Sequence, residues 1–197
     1  MRKLVLKMSV SADGFVGGPK GEIDWLFRTQ SAGGAAWVLE TLRGAGVHIM
    51  GSRTFHDMAA YWPTSSDQLA APMNEIPKVV FSRKGAAESG IQRAATPSAA
   101  ADSWTNARVA GGDLAEEIAA LKKEEGKYIL AHGGARFAQS LARFGLIDEY
   151  RLVVHPVVLG RGLPLFGSID APADLKLESS VVLPNGVIAN TYTPLIH

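Results

Sequence analysis

Three short segments carry residue types that hold a phosphate: Gly51-Ser52-Arg53-Thr54, Ser82-Arg83 and His132-Gly133-Gly134-Ala135-Arg136. A guanidinium offers a fork of N–H donors and a neighbouring hydroxyl adds another. Arg53 with Ser52 and Thr54, and Arg83 with Ser82, therefore suit a phosphate monoester. The 2′-phosphate that separates NADPH from NADH is such a group. The pair Gly133-Gly134 removes two Cβ atoms just before a helix, where a pyrophosphate can approach free N–H groups and the positive end of the helix dipole. Each segment has a plainer alternative. An arginine at a strand end is ordinarily solvated, a glycine pair is ordinarily a tight turn, and the full G-x-G-x-x-G fingerprint is absent. Asp148 and Glu149 follow the whole helix, too late to reach a ribose. The parallel placement of two serine–arginine pairs is what favours a nucleotide.

Candidate acids are fewer. Asp24 stands among Ile23, Trp25, Leu26 and Phe27, and partial burial would raise its pKa toward the range useful for proton donation near neutrality. The alternative is a helix N-cap. Asp13, between Ala12 and Gly14 in a glycine-rich loop, is either close to a ligand or a turn residue supporting that loop. Glu149 opens an apolar strand, where a carboxylate is costly unless paired or placed in a site, which makes it a candidate substrate contact. Trp25 could stack on a flat ring or belong to the core. His132 could meet a phosphate or simply cap its strand. The five histidines show no close-spaced ligand pattern and there is no cysteine, so no metal is expected.

These residues need a scaffold, and the pattern supplies an α/β one. Strands are expected at 4–10, 47–50, 78–81, near 108–110 and at 128–131, with helices at 35–43, 52–60 (opened by a Ser cap), 113–125 and after Gly134. Three strands at 149–159, 175–183 and 187–194 follow without intervening helices. Pro184-Asn-Gly186 is a hairpin signal, so the sheet should be mixed, mostly parallel, with an antiparallel C-terminal edge. Pro156 suggests an edge or a bulge. Residues 86–103 have few anchors and are expected to be the loosest stretch. At 197 residues and 47% hydrophobic the chain is expected to form one domain. A net charge of +1 argues against nucleic acid. Lys7 breaks the only N-terminal apolar run, and no stretch is long enough to span a bilayer, so neither a signal peptide nor a membrane anchor is expected and the cytoplasm is the expected location.

The segments Met8-Ser-Val-Ser-Ala-Asp-Gly-Phe-Val16, Gly51-Ser-Arg-Thr-Phe55, Val79-Val-Phe-Ser-Arg83 and His132 through Phe166 are, in order and spacing, similar to the dihydrofolate reductase-like group that includes the reductase domain of riboflavin biosynthesis. The resemblance covers nearly the whole chain. It implies a three-layer fold and an NADPH-dependent reductase acting on a small heterocycle, with the aminouracil ribosyl reductase step of riboflavin synthesis as its specific form. It also implies a homodimer. Carried over by position, Gly51, Ser52, Arg53 and Thr54 meet the adenosine phosphates, Ser82 and Arg83 the 2′-phosphate side, and Gly133, Gly134, Ala135 and Arg136 the pyrophosphate. Ala12, Asp13 and Gly14 border the nicotinamide, while Asp24 falls near the carboxylate that contacts a pterin. Two departures matter. Glu75-Ile-Pro stands where an arginine would hold a folate tail, and the absence of cysteine excludes a fused zinc deaminase. Dihydrofolate reduction and a non-catalytic nucleotide-binding dimer are the alternatives.

Overall fold

The computed structural model describes residues 1–83 and 102–195, so most of the 86–103 connection lies outside the described residues. In chain order the elements are β1 (Leu4–Ser11), β2 (Phe15–Gly17), a 3-10 turn (Asp24–Thr29), α1 (Ala32–Arg43), β3 (Ala45–Gly51), α2 (Ser52–Tyr61), α3 (Ala70–Glu75), β4 (Lys78–Phe81), α4 (Asp102–Thr105), β5 (Arg108–Ala110), α5 (Leu114–Lys123), β6 (Tyr128–His132), α6 (Ala135–Arg143), β7 (Glu149–His155), β8 (Leu163–Pro164), β9 (Leu175–Val182) and β10 (Ile188–Pro194). The architecture is α/β: a mostly parallel sheet flanked by helices, with an antiparallel C-terminal edge. The chain divides into two compact units, residues 1–3 with 38–134, and 4–37 with 135–197.

In the first unit the strands run in the order β5-β4-β3-β6, all parallel. Such strands are apolar on both faces, because helices cover a parallel sheet twice. Ile49, Met50, Val80, Ile129 and Leu130 are accordingly sealed from solvent. The second unit carries β1-β7-β10-β9, parallel at β1–β7 and antiparallel beyond, with a separate β2–β8 pair. The turn between β9 and β10 holds Asn185 at φ 64° and Gly186 at φ 74°, the two left-handed residues that a tight hairpin requires. Two expectations need correcting. Pro156 stands just beyond β7, an interior strand flanked by β1 and β10, so the proline ends the ladder rather than marking an edge. Ser52 is the first residue of α2 rather than its cap, which is Gly51.

Lys78 opens β4 with 2% of its surface exposed. Its Nζ donates to the carbonyls of Met73 and Ile76 and to Ser103 Oγ, and lies 4.4 Å from the Trp104 ring centroid. Ser103 donates onward to the Asn74 carbonyl, and Trp104 Nε1 donates to Asn74 Oδ1 at 2.8 Å. One cation thus closes the C-terminal end of α3 and fastens α4 to it. Burial pushes this ammonium from its ordinary 10.5 down to about 7. Lys78→Met leaves two carbonyls without their donor, and a loss of about 1–3 kcal/mol is expected. A pKa lower in the folded than in the unfolded chain means that the unfolded chain binds the extra proton between about pH 7 and 10.5, so this site's contribution rises with pH over that window. Urea unfolding at about pH 7 and about pH 9 checks both points: the gain on raising pH should be smaller in the variant than in the wild type.

Candidate functional site

The three phosphate-binding candidates of the first unit come from strands that end level. Gly51 is the register partner of Phe81, Phe81 of Ala110, and Ile49 of Ala131, so the residues after β3, β4, β5 and β6 emerge along one edge. Ligands of parallel sheets bind at such carboxyl ends. Ser52, Arg53 and Thr54 form the first turn of α2, whose N-cap Gly51 contributes no side-chain hydrogen bond. The N–H groups of that turn are open to an anion. Arg53 is exposed. Ser82 is buried and its N–H donates to the Ala110 carbonyl at 3.0 Å, while Arg83 points to solvent. Gly134 has φ +46°, and a Cβ built there would lie 2.7 Å from Thr54 Oγ1. The turn after β6 and the first turn of α2 therefore touch at a place only glycine fits. This glycine cradle and the serine–arginine pairs suit the phosphates of NADPH. Sequence reasoning missed Gly111-Gly112 after β5, level with the others. Its signal was a short strand followed by Gly-Gly-Asp, where Asp113 caps α5 by accepting from the N–H groups of Ala115 and Glu116.

In the second unit the picture is mixed. Ala12, Asp13 and Gly14 are exposed after β1. Asp13 accepts from Ser11 Oγ at 2.6 Å and from the N–H groups of Leu159 and Gly160 at 3.1 and 2.7 Å. The Ser11 hydroxyl and those N–H groups hold its carboxyl below the usual range, so Asp13 is the turn residue that fixes the loop. Asp24 is not buried: its side chain is 73% exposed, 3.7 Å from Arg28. The burial expected among its apolar neighbours is missing. Trp25 is the buried member of that turn, 3% exposed, with its ring edge-on to His155 at 5.4 Å and Nε1 donating to the Glu22 carbonyl. It is core, not an open stacking face. Glu149 pairs with Arg151 at 2.7 Å, which offsets the cost of its half-burial. Ala135 and Arg136 open α6, with Arg136 exposed.

Sequence reasoning also overlooked Lys7 and His155. Lys7 shares a face of the β1–β7 pair with its register partner Arg151. It is half-buried, and burial pushes its ammonium down to about 8. His155, the partner of Ser11, has Nδ1 2.7 Å from Thr29 Oγ1. Burial first, and Lys7 second, bring it down to about 4, so this imidazole is neutral at pH 7. The only sequence signal for Lys7 was a cation interrupting an apolar strand.

A cavity of about 680 Å³ opens at the opposite, N-terminal ends of β3, β4 and β5. Its cations are engaged already, Arg2 by Glu124 at 3.0 Å, Arg108 by Glu117 at 3.3 Å and Lys78 by its three acceptors. It is far from the strand ends that suit a nucleotide. Among the described residues there is no cluster suited to a metal, and no helix is long and apolar enough to cross a membrane.

A mostly parallel sheet of this strand order is the fold of the dihydrofolate reductase-like proteins. Within that class the chain belongs to the RibD C-terminal domain family, whose family model matches residues 2–189. It is 30% identical to the uncharacterized protein YyaP of Bacillus subtilis over 97% of this chain and 94% of that one. Among solved structures it is similar to a putative riboflavin biosynthesis protein from Shewanella sp. PV-4, with TM-score 0.71, 21% identity and coverage of 98% and 99%. It is also similar to the deaminase/5-amino-6-(5-phosphoribosylamino)uracil reductase of Thermotoga maritima, with TM-score 0.66 and 15% identity, over 98% of this chain and 57% of that one. Enterococcus faecalis dihydrofolate reductase complexed with NADP(H) follows at TM-score 0.59 and 14% identity, with 98% and 96% covered. At these identities the structural likenesses establish the fold.

The contact between Gly134 and Thr54 yields a prediction. Gly134→Ala combines a left-handed backbone, costing about 1–2 kcal/mol, with a clash against Thr54. Gly145→Ala, at φ +62° with open space around the new methyl, carries the backbone cost alone. Chemical denaturation should find the Gly134 variant the less stable of the two, and Thr54→Ala in the same chain should recover the difference.

Proposed function

We propose that the chain is an NADPH-dependent reductase that delivers hydride to a C=O or C=N carbon of a small heterocyclic substrate of the aminouracil type, as in the reductase step of riboflavin synthesis. The observation that carries this reading is the level ending of β3, β4 and β6, which aligns Ser52, Arg53 and Thr54 with Ser82 and Arg83 and with Gly133-Gly134. The family, and neighbours described as riboflavin-pathway reductases, support it. NADPH, when bound, supplies the hydride. Arg53 and Arg83 hold the 2′-phosphate, and the first turn of α2 and the glycine pair hold the pyrophosphate. In the second unit the loop of Ala12, Asp13 and Gly14 follows the carboxyl end of β1, where the family resemblance assigns the nicotinamide, whereas Glu149, the register partner of Val5, opens β7 at the other end of that pair and loses the substrate role expected of it.

Proton donation is assigned to ordered water rather than to a side chain: Asp24 is exposed and paired with Arg28, and Lys7 lies mid-strand, four residues before the carboxyl end of β1. The partner is a small molecule, and the assignment places neither a metal nor a nucleic acid in the site.

Thermal-shift titration tests the cofactor. At one hundred times its Kd, a ligand that binds only the folded chain stabilises it by about 2.7 kcal/mol. NADPH should give such a shift at concentrations where NADH does not, and Arg53→Ala or Arg83→Ala should each weaken NADPH binding about tenfold, a loss of about 1.4 kcal/mol. Equal shifts, or none from either nucleotide, would remove the reading and its enzymatic form with it. For the proton, Asp24→Asn and Lys7→Met should both leave single-turnover hydride transfer unchanged across pH, and a fall of about 100-fold in either variant, the size expected for a missing general acid, would move the role from water to that side chain.

A further inference from the structure

The cavity at the amino ends of β3, β4 and β5 is built from residues of the first unit alone. Its volume of about 680 Å³ falls within the range of small-molecule sites. Two helix layers meet there. Helices α3 and α4 lie on the face of Lys78, whose ammonium holds both. The β5–α5–β6 connection runs back across the sheet in the other direction, and a right-handed crossover then places α5 on the opposite face. Arg108 is the register partner of Val79, which alternates with Lys78, so it too faces α5, where it reaches Glu117.

Charge is divided between the two sides. On the α5 side the Arg2 side chain, 6% exposed, lines the cavity. Its Nε donates to the Lys127 carbonyl at 2.6 Å and its Nη1 to Glu124 at 3.0 Å, while Nη2 has no acceptor among the described residues. A Cβ built on Gly46 would lie 3.0 Å from that Nη2. Gly46 does not have a positive φ, so what it provides is space, letting the guanidinium lie against the strand at the cavity wall. On the α3–α4 side stand two exposed carboxylates. Glu75 makes no hydrogen bond or ion pair among the described residues, and Asp102 accepts from Asn106 Nδ2 at 2.7 Å through one oxygen, leaving the other unused. Lys78 adds no free donor, because its three N–H groups are committed. The strand ends between the layers contribute an apolar lining of Val47, Pro77 and Val79.

We infer that this cavity binds an elongated zwitterion of the ω-amino acid class, with its carboxylate on Arg2, its ammonium on Glu75 and Asp102, and its polymethylene chain across Val47, Pro77 and Val79. A guanidinium buried to this depth attracts an anion more strongly than one in water, and its spare nitrogen supplies a charge-assisted hydrogen bond. The cation and the carboxylates belong to opposite faces of a sheet, so the ligand must carry its own charges apart. An α-amino acid, with both on one carbon, does not span them. A phosphate would meet the two carboxylates, and a diamine would set a cation against Arg2. The inference is independent of the cofactor reading, which uses the carboxyl ends of the same strands.

Isothermal titration calorimetry of the full chain with ε-aminocaproate as the probe provides the test. Binding with a Kd of about 1 mM or tighter is expected, with caproate, hexylamine and glycine each at least tenfold weaker. Glu75→Gln combined with Asp102→Asn, both at exposed positions, should keep the circular dichroism spectrum and bring ε-aminocaproate down to the level of caproate. In amide NMR spectra the Gly46 signal should shift on binding. No binding at about 10 mM, equal binding of caproate or hexylamine, full affinity in the double variant, or a shift at Gly134 in place of Gly46 would each overturn the assignment.

Discussion

The parallel register of β4, β3 and β6 is the constraint on which the candidate nucleotide edge depends. Parallel strands share a direction, so their carboxyl ends can lie at one edge. The pairing of Gly51 with Phe81 and of Ile49 with Ala131 makes them end at one height. Everything proposed for phosphate recognition follows from that levelling, because no single segment would bind a dinucleotide alone. The accompanying cost is burial on both faces. It appears in the sealed core of this unit and in two of its buried polar side chains, His48 and Lys78, which sit opposite each other across β3 and β4. His48 rests edge-on to His132 at 4.4 Å, and burial, then His132 and Lys78, keep it well below its usual range and therefore neutral.

The second unit obeys a different rule. Its antiparallel strands alternate between a face covered by Trp37 and a face that opens toward β9, and alternation is only as reliable as the residue count. One extra residue at Glu178 resets it. The glycine-rich loop after β1 is tied by side chains and backbone together. The Asp13 carboxylate takes one hydroxyl and two N–H groups, which fixes the loop against residues 159 and 160, while the Phe15 N–H donates to Ser11 Oγ and the Leu165 N–H to the Gly14 carbonyl.

Much of this was legible in sequence wherever a period was long enough to read. The apolar runs at 47–50, 78–81 and 128–131 and the helical period of residues 113–125 placed the elements within a few residues of their observed bounds. The hairpin at Pro184-Asn-Gly186 announced itself by turn chemistry. What was not legible had too short a period or depended on tertiary burial. Helices α3 and α4, of six and four residues, contain no full amphipathic repeat. Asp24 looked buried because its neighbours are apolar, yet adjacent residues on a helical turn point apart, and Trp25 took the core side. The Glu178 bulge leaves no mark in composition, since a count of one residue becomes visible only against a partner strand.

Lys7 and Lys78 show how far residue type and burial alone go toward assigning a role. Both stand on strands, and burial pushes both ammoniums down, to about 8 and about 7. Lys78 commits all three N–H donors to two carbonyls and a hydroxyl, and an aromatic ring lies 4.4 Å from the charge. Nothing is left with which to bind or react, and its removal would unfasten helices. Lys7 makes no hydrogen bond or ion pair among the described residues and retains partial access to solvent on the face it shares with Arg151 and His155. A partly desolvated ammonium with unused donors costs folding energy that a purely structural residue would not be asked to carry. Saturation of the donors, rather than the pKa shift common to both, is therefore what separates a structural clamp from a group available to chemistry.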